Sequence, residues 1–244
     1  MIELHNNDCL LALKKYSTGY FDLGVVDPPY GIGFDGENTK MSLGMRADGT
    51  QRVNDAWKNV VNAKPKYKRK AWDSKRPSAE YFNELMRVCK HVIIWGGNYF
   101  ADLLPPSGGY IVWDKGVVMP TLSKCELAYT NCNNHIEMIS LLWAGYRRCE
   151  EVNRIHPTQK PVALYDWIFS HYAKAGYRVL DTHLGSGSSA IAAYKAGLYF
   201  VGYEIDKEYF EGAKARLCKA MQQGNIFTPQ KARIDEQLTL FESG

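Results

Sequence analysis

The chain has 244 residues, with 30 Lys and Arg against 26 Asp and Glu and a formal net charge of +4. That length suits one sizeable α/β domain, or one domain carrying an insertion, and the mild positive balance is not a polybasic signature. No apolar run approaches the ~20 residues of a membrane span. The opening Met1-Ile2-Glu3-Leu4-His5 is not expected to be a signal peptide, and the six scattered cysteines, without a Cys-x-x-Cys pair or zinc spacing, predict reduced thiols in a cytoplasmic protein and no metal site.

Met1 to Leu4 is a short strand candidate, followed by Asn6-Asn7-Asp8-Cys9 and apolar helical positions at Leu10, Leu11 and Leu13. In that strand-to-helix turn Asp8 is either a helix N-cap or a residue facing a ligand at the strand's C-terminal edge. Phe21 to Val26 predicts a second strand, which runs into Asp27-Pro28-Pro29-Tyr30. Each proline fixes its own φ, removes an N–H donor and holds the preceding residue extended. The turn is therefore stiff and keeps carbonyls as acceptors. Asp27 and those carbonyls can grip an N–H₂ group beside the flat ring of Tyr30, which suits a nucleobase with an exocyclic amine. On these four residues alone, a strand-ending turn with a capping Asp stands equally well.

Gly31 to Pro77 is polar and glycine-bearing. It ends in Lys64, Lys66, Lys68, Arg69, Lys70, Lys75 and Arg76 against Asp73 alone, with Trp57, Tyr67 and Trp72 interleaved. A stretch this long without periodicity is usually functional or mobile. Cations that neutralise phosphates and rings that stack or wedge favour a nucleic-acid-facing loop over a merely solvated surface. Ser78 then caps a helix with Phe82, Leu85, Met86 and Cys89 on one face, and the strands His91–Trp95, Tyr110–Trp113 and His135–Trp143 follow. Between the last two lies a loop, about 115–134, with Lys115, Lys124 and Asn131 to Asn134. Arg147, Arg148 and Arg154 form another basic cluster. His156-Pro157-Thr158-Gln159-Lys160-Pro161 opens a helix that stops near Gly176.

Tyr177 to Leu180 predicts a strand running into Asp181-Thr182-His183-Leu184-Gly185-Ser186-Gly187 and a small-residue helix from Ser188 to Ala196. Tyr199 to Tyr203 is the next strand; it ends at Glu204-Ile205-Asp206, before a helix from about Lys207 to Gln223. Strand–helix alternation implies an α/β fold with a mostly parallel sheet. Strand, Gly-x-Gly, helix, strand and acidic residue is the nucleotide-binding order of a doubly wound sheet, with Glu204 at roughly the 20-residue distance expected for ribose hydroxyls. The loop is not the dinucleotide fingerprint. Asp181 in front would repel a pyrophosphate but can accept from an ammonium group, which favours a nucleoside joined to an amino acid, S-adenosylmethionine.

These three motifs, in this order, resemble the β class of DNA amino-methyltransferases over about residues 1–222. The resemblance implies a doubly wound, Rossmann-like S-adenosylmethionine-dependent methyltransferase sheet, mostly parallel with an antiparallel edge and a circularly permuted motif order. It implies a single domain over 1–224 with a basic insertion at about 31–77, a recognition loop at about 115–134 and a tail over 225–244. Asp27, Pro28, Pro29 and Tyr30 would be catalytic, with Asp27 also bordering the cofactor. Asp8 would lie near the cofactor adenine, Thr158 and Lys160 would hold its amino-acid end, Asp181, Gly185, Ser186 and Gly187 would line the loop, and Glu204 would bind the ribose. Two positions depart from the family pattern: Thr182-His183 replaces Pro-Phe, and Ser188-Ser189 replaces a pair of threonines. His183 is either a ligand-facing imidazole or a packing residue, with packing favoured.

The substrate implied is double-stranded DNA, its phosphates met by Lys64, Lys66, Lys68, Arg69, Lys70, Arg147 and Arg148. The target base would be flipped out, stacked on Tyr30 and held by Asp27 and the Pro28 carbonyl. Asp in the first motif position favours N6-adenine; N4-cytosine enzymes of the family mostly carry Ser there. A catalytically inactive DNA-binding relative is the reading from another class. The short span before His156 leaves no room for a large recognition domain there, which fits a solitary or phage-like methylase; many relatives dimerise. In the tail, Gln237-Leu238-Thr239-Leu240-Phe241 resembles the peptide by which bacterial proteins dock on the replication sliding clamp; the alternative is an end that packs on the protein's own surface or a partner subunit.

Overall fold

The strands of the central sheet send alternate residues to opposite faces, and both faces are apolar. Val25 and Val26 are 0% and 1% exposed, as are Ile93 and Ile94 at 0%, yet each pair divides between two separate core clusters. The computed structural model describes residues 1–33, 70–116, 123–144, 147–148 and 154–224. The candidate DNA contacts Lys64, Lys66, Lys68 and Arg69 lie outside the described residues, as does the tail segment with Gln237, Leu238, Leu240 and Phe241.

The described elements are β1 (Ile2–His5), α1 (Cys9–Leu13), β2 (Phe21–Val26), α2 (Ala79–Val88), β3 (Cys89–Trp95), β4 (Tyr110–Asp114), β5 (Cys125–Thr130), β6 (Ile136–Ser140), β7 (Trp143–Ala144), β8 (Arg147–Arg148), α3 (Val162–Tyr172), β9 (Arg178–Asp181), α4 (Ser188–Lys195), β10 (Tyr199–Tyr203) and α5 (Lys207–Gly224). The main sheet has the order β1-β10-β9-β2-β3-β5-β4-β6. Its strands run parallel except β5, which is antiparallel to both β3 and β4 in the outer half of the sheet. β7 and β8 form a separate antiparallel pair.

Helices α3, α4 and α5 cover one face, where Leu164, Ile168, Ala192, Ala213 and Leu217 pack on Leu23, Val25, Ile93 and Trp95. Helices α1 and α2 cover the other, where Leu13, Phe82 and Leu85 pack on Phe21, Val26, Val92 and Ile94. Ser78 begins α2 as expected, its hydroxyl accepting from the Tyr81 N–H at 3.3 Å. The strand order reverses between β9 and β2, which pair in parallel. That is the switch point at which a doubly wound sheet opens a crevice beyond its strands' C-terminal ends.

The stretch 115–134 corrects the expectation of a loop. It contains β5, which inserts between β3 and β4 and buries Ala128, Tyr129 and Thr130. A charged residue, Glu126, interrupts the apolar pattern of that strand, and its reason lies in the site described next.

Candidate active site

A cleft of about 210 Å³ opens at the switch point and is lined by Asp27 and Pro29 from the turn after β2, Thr158 and Lys160 from the segment before α3, Gly185 and Ser186 from the turn after β9, and Glu204 at the end of β10. Chain segments far apart in sequence thus meet at one strand edge. Tyr30 joins the same constellation through Asp27, donating its hydroxyl to Oδ1 at 2.8 Å.

The second oxygen of Asp27 is also filled. The Lys160 ammonium donates to Oδ2 at 2.5 Å, stands 3.1 Å from Glu126 Oε2 and reaches the Tyr30 hydroxyl at 3.4 Å. The Lys160 side chain is only 4% exposed, so its three donors need these acceptors. Lys160, expected to hold the amino-acid end of a cofactor, borders the cleft and pairs there with Asp27 and Glu126. Lys115 completes the chain of charges by pairing with Glu126 Oε1. Burial raises Asp27 above the ordinary carboxylate value despite Lys160. Burial also acts to raise Glu126, but the two ammonium groups prevail and hold it below its ordinary value.

The ring of Tyr30 stacks on Tyr99, with centroids 4.8 Å apart and planes 14° from parallel, and meets Phe100 edge-on. One face of the ring expected to stack on a base is thus already braced.

The turn after β9 is held by its own carboxylates. Gly185 and Gly187 have φ of 52° and 73°, which favour glycine. Glu204 accepts the Gly185 N–H at 2.8 Å through one oxygen and the Asp206 N–H at 2.9 Å through the other, each retaining a lone pair for a ligand. Burial raises Glu204. Asp181 sits behind the turn, 2% exposed, accepting from the Ser189 hydroxyl at 2.6 Å and the His183 N–H at 3.0 Å. It borders the turn rather than the cleft, and burial pushes it up to about 7. Asp8 is an N-cap, its Oδ1 accepting from the N–H groups of Leu10 and Leu11 at 2.8 and 3.2 Å. Both Asp8 and Gly187 stand outside the cleft lining. His183 lines it while its Nδ1 is 2.9 Å from the Thr182 hydroxyl and its ring meets Tyr81 edge-on. Burial lowers it to about 4, so the imidazole is neutral.

The sequence pattern of the DNA methylase family N6_N4_Mtase matches residues 112–215. YubD of Escherichia coli (strain K12), named as a methylase, is 37% identical over 243 residues, spanning 92% of this chain and 97% of YubD. The chain belongs to the N6/N4 DNA methylase family. The fold of this methylase is shared by solved relatives. M1.HpyAVI in its complex with SAM superposes with a TM-score of 0.54 at 18% identity, covering 89% of this chain and 99% of that one. PvuII DNA methyltransferase, cytosine-N4-specific, does so with a TM-score of 0.53 at 10% identity, covering 91% and 90%.

Two rings of the methylase's cleft, and an ion pair beside it, were not assigned there by the sequence reading. The first is Trp72, in a 3-10 turn (Ala71–Asp73), which lines the cleft and lies 5.1 Å from the His156 ring. The second is Tyr209, whose ring meets His156 edge-on at 4.3 Å. His156 is buried and neutral, lowered to about 3 by burial and then by the cations Lys160, Arg154 and Lys70, while its Nδ1 lies 3.0 Å from the Thr158 hydroxyl. The ion pair is Glu126–Lys115. Lys70, expected on DNA phosphates, instead binds Asp206 at 2.7 and 2.8 Å and Glu208 at 3.0 Å, with its ammonium 4.0 Å from the Tyr209 ring. Arg147 and Arg148 supply the backbone of β8.

Proposed function

We propose that the methylase moves a methyl group from S-adenosylmethionine to the N6 amine of adenine in double-stranded DNA, after the target base is flipped out of the helix. The observation that carries this reading is the Asp27 carboxylate, which lines the same cleft as Gly185, Ser186 and Glu204. The donor set fits a nucleoside without phosphates. Glu204 keeps lone pairs for ribose hydroxyls, Trp72, His156 and Tyr209 offer ring surface to a base, and Lys160 is already paired with carboxylates. Thr158, Ser186 and the Gly185 backbone complete the residues that would hold the cofactor, and Gly187 and Asp181 shape their turn. When bound, S-adenosylmethionine supplies an electrophilic methyl group.

The chain's own residues make the amine reactive. The lone pair of N6 is delocalised into the adenine ring, so the amine is a poor nucleophile. Asp27 and the Pro28 carbonyl accept its two hydrogens, draw them out of the ring plane and localise the pair. As positive charge grows on nitrogen, the Asp27 carboxylate stabilises it and receives the surplus proton. The two prolines keep those acceptors fixed, and Tyr30 orients Asp27 through its hydroxyl.

Asp at position 27, where the family's cytosine enzymes mostly carry Ser, favours adenine; the fold is shared with the cytosine-N4-specific PvuII enzyme and does not discriminate. Residues 1–224 act as one domain in this reading, with the 31–77 segment and the 115–124 connection facing DNA. Gln237, Leu238, Leu240 and Phe241 dock the tail on a bacterial sliding clamp; equal clamp binding by the full chain and by a chain ending at Asp235 removes that part.

The test is single-molecule sequencing of DNA from a methylation-free host expressing the chain, beside the Asp27→Ala variant. N6-methyladenine at a defined site, absent with the variant, is the expected result. N4-methylcytosine would reassign the base, and unmodified DNA from the unaltered chain would overturn the enzyme in favour of a DNA-binding relative.

A further inference from the structure

We infer that Glu126 is a positioning residue: it is the alternative seat of the Lys160 ammonium, taking that charge while the target amine occupies Asp27. The inference rests on the reading of Asp27 as the amine's acceptor and adds the step by which Asp27 becomes available.

Both oxygens of Asp27 are engaged, Oδ1 by the Tyr30 hydroxyl at 2.8 Å and Oδ2 by Lys160 at 2.5 Å. A carboxylate can accept more than two bonds, so space alone does not forbid an amine. Charge does. The nitrogen that receives a methyl group becomes positive, and an ammonium on the neighbouring oxygen opposes it as a like charge. A neutralised Asp27 also cannot stabilise that charge. The ammonium therefore has to withdraw. With its side chain 4% exposed, Lys160 cannot withdraw into water.

Glu126 Oε2 is the carboxylate oxygen it already touches, at 3.1 Å. Glu126 is fixed for this purpose from two sides. Its backbone is paired opposite Trp113 in the sheet, and its other oxygen is bound by Lys115. Asp27, Glu126, Lys160 and Lys115 together sum to zero charge. When Lys160 settles on Glu126, Asp27 is left with one uncompensated negative charge, matched in sign and size to the charge that forms on the amine. The ammonium lies between the two carboxylates, 2.5 Å from Asp27 and 3.1 Å from Glu126, so the movement that carries it away from Asp27 brings it onto Glu126. The Lys115–Glu126–Lys160–Asp27 chain also explains why a glutamate occupies an otherwise apolar strand.

The groups facing Asp27 are Lys160, Tyr30, Glu126, Tyr165 and Asp181. In Glu126→Gln the seat loses its charge, so Lys160 stays on Asp27 and holds it ionised to lower pH. Single-turnover methylation of a duplex oligonucleotide, measured from pH 5.5 to 9 alongside calorimetric binding of S-adenosylmethionine, tests this. We expect the single-turnover rate constant to fall at least tenfold in Glu126→Gln, with cofactor affinity within about twofold of the parent and the acidic limb displaced to lower pH. Glu126→Asp keeps the charge and restores part of the rate. Adding Lys160→Met to Glu126→Gln removes the ammonium that cannot leave, and the double variant is faster than Glu126→Gln alone. An unchanged plateau and acidic limb in Glu126→Gln overturn the inference. So does a double variant no faster than the single one, or a loss of cofactor binding that accounts for the whole effect. If Glu126→Gln does not fold, Glu126→Asp with and without Lys160→Met carries the same comparison. A parent chain that leaves DNA unmethylated overturns the proposed function itself, which these variants do not address.

Discussion

Gly96 and Tyr30 are in direct contact: a Cβ placed on Gly96 would stand 2.2 Å from Cε1 of the Tyr30 ring. Gly96 also has φ of 72°, in the left-handed region. The residue just after β3 therefore sets how close the tyrosine after β2 can lie, and through the tyrosine hydroxyl it sets the orientation of Asp27.

Gly96→Ala should displace Tyr30 as well as strain the backbone. The strain is on the order of 1–2 kcal/mol, which lowers Tm by several degrees. Moving the Tyr30 hydroxyl off Asp27 should cost at least a further tenfold in methyl transfer. Parallel measurement of Tm and single-turnover rate checks this; a rate loss no larger than the loss of folded protein would show that the contact has no catalytic consequence.

Glu204→Gln should weaken the binding of S-adenosylmethionine. The carboxylate accepts two backbone N–H groups and supplies further lone pairs to the cleft, whereas an amide has only one accepting oxygen. Hydrogen bonds to a charged group contribute ~1.5–3 kcal/mol, so the dissociation constant should rise about tenfold or more. Isothermal calorimetry with the cofactor alone, without DNA, reads this directly.

Lys70→Met separates two roles for the basic segment. Removing a lysine that contacts DNA phosphate reduces the salt dependence of binding by about one unit of log slope. Lys70 is instead held by Asp206 and Glu208, and the expected result is an unchanged salt slope with a stability loss of ~0.5–1 kcal/mol. Partial burial raises Asp206, but Lys70 together with the backbone N–H groups of Tyr209 and Glu208 outweighs it and leaves the folded carboxylate below its ordinary value. That contribution is present above the ordinary Asp value and is lost as pH falls through the folded one. The stability difference between parent and Lys70→Met should therefore shrink below about pH 4.

Asp181 has the opposite sign. Burial raises its folded value to about 7 from 3.8, opposed by the Ser189 and His183 hydrogen bonds. Between those values the folded chain binds more protons than the unfolded chain, so stability falls as pH rises through the window. Neutral Asp181→Asn removes this dependence. Its Tm relative to the parent should climb by several degrees between pH 5 and 8, on the order of a few kcal/mol. The buried histidines act on the acid side in both proteins and cancel in the comparison. A constant difference would place Asp181 at an ordinary carboxylate value.

Local chemistry made the two main turns legible. Apolar runs ending in Asp27-Pro28-Pro29-Tyr30 and Asp181 to Gly187 announce strand ends and loops within a few residues, and β2, β10 and α4 follow closely from their sequences. What was hidden depends on partners distant in the chain. The half-exposed start of β5 carries Glu126, so period alone did not separate it from the flanking loop; its strand character comes from pairing with β3 and β4. Lys70 and Lys160 are cations whose sequence neighbours suggested ligands, whereas the fold brings carboxylates to both. Asp8 could be read two ways from its turn, and the N–H groups of Leu10 and Leu11 show that it caps the helix.

Asp73 holds the far end of the 31–77 segment against its beginning. Its side chain accepts the Gly31 N–H at 2.9 Å and its carbonyl accepts the Gly33 N–H at 3.0 Å, while Arg76 binds Asp102 and the Tyr99 carbonyl. The span between positions 33 and 73 is thus tied off at its neck, next to the reacting groups. Lys70, bound to Asp206, and Trp72, which lines the cleft, are fixed at the far end of the segment; since closing a longer loop costs only ~0.6 kcal/mol per doubling of length, a change in the number of residues between 34 and 69 puts little burden on the neck. The neck lets the chain between 34 and 69 vary in length independently of the residues that line the cleft, which makes that stretch an interchangeable cassette.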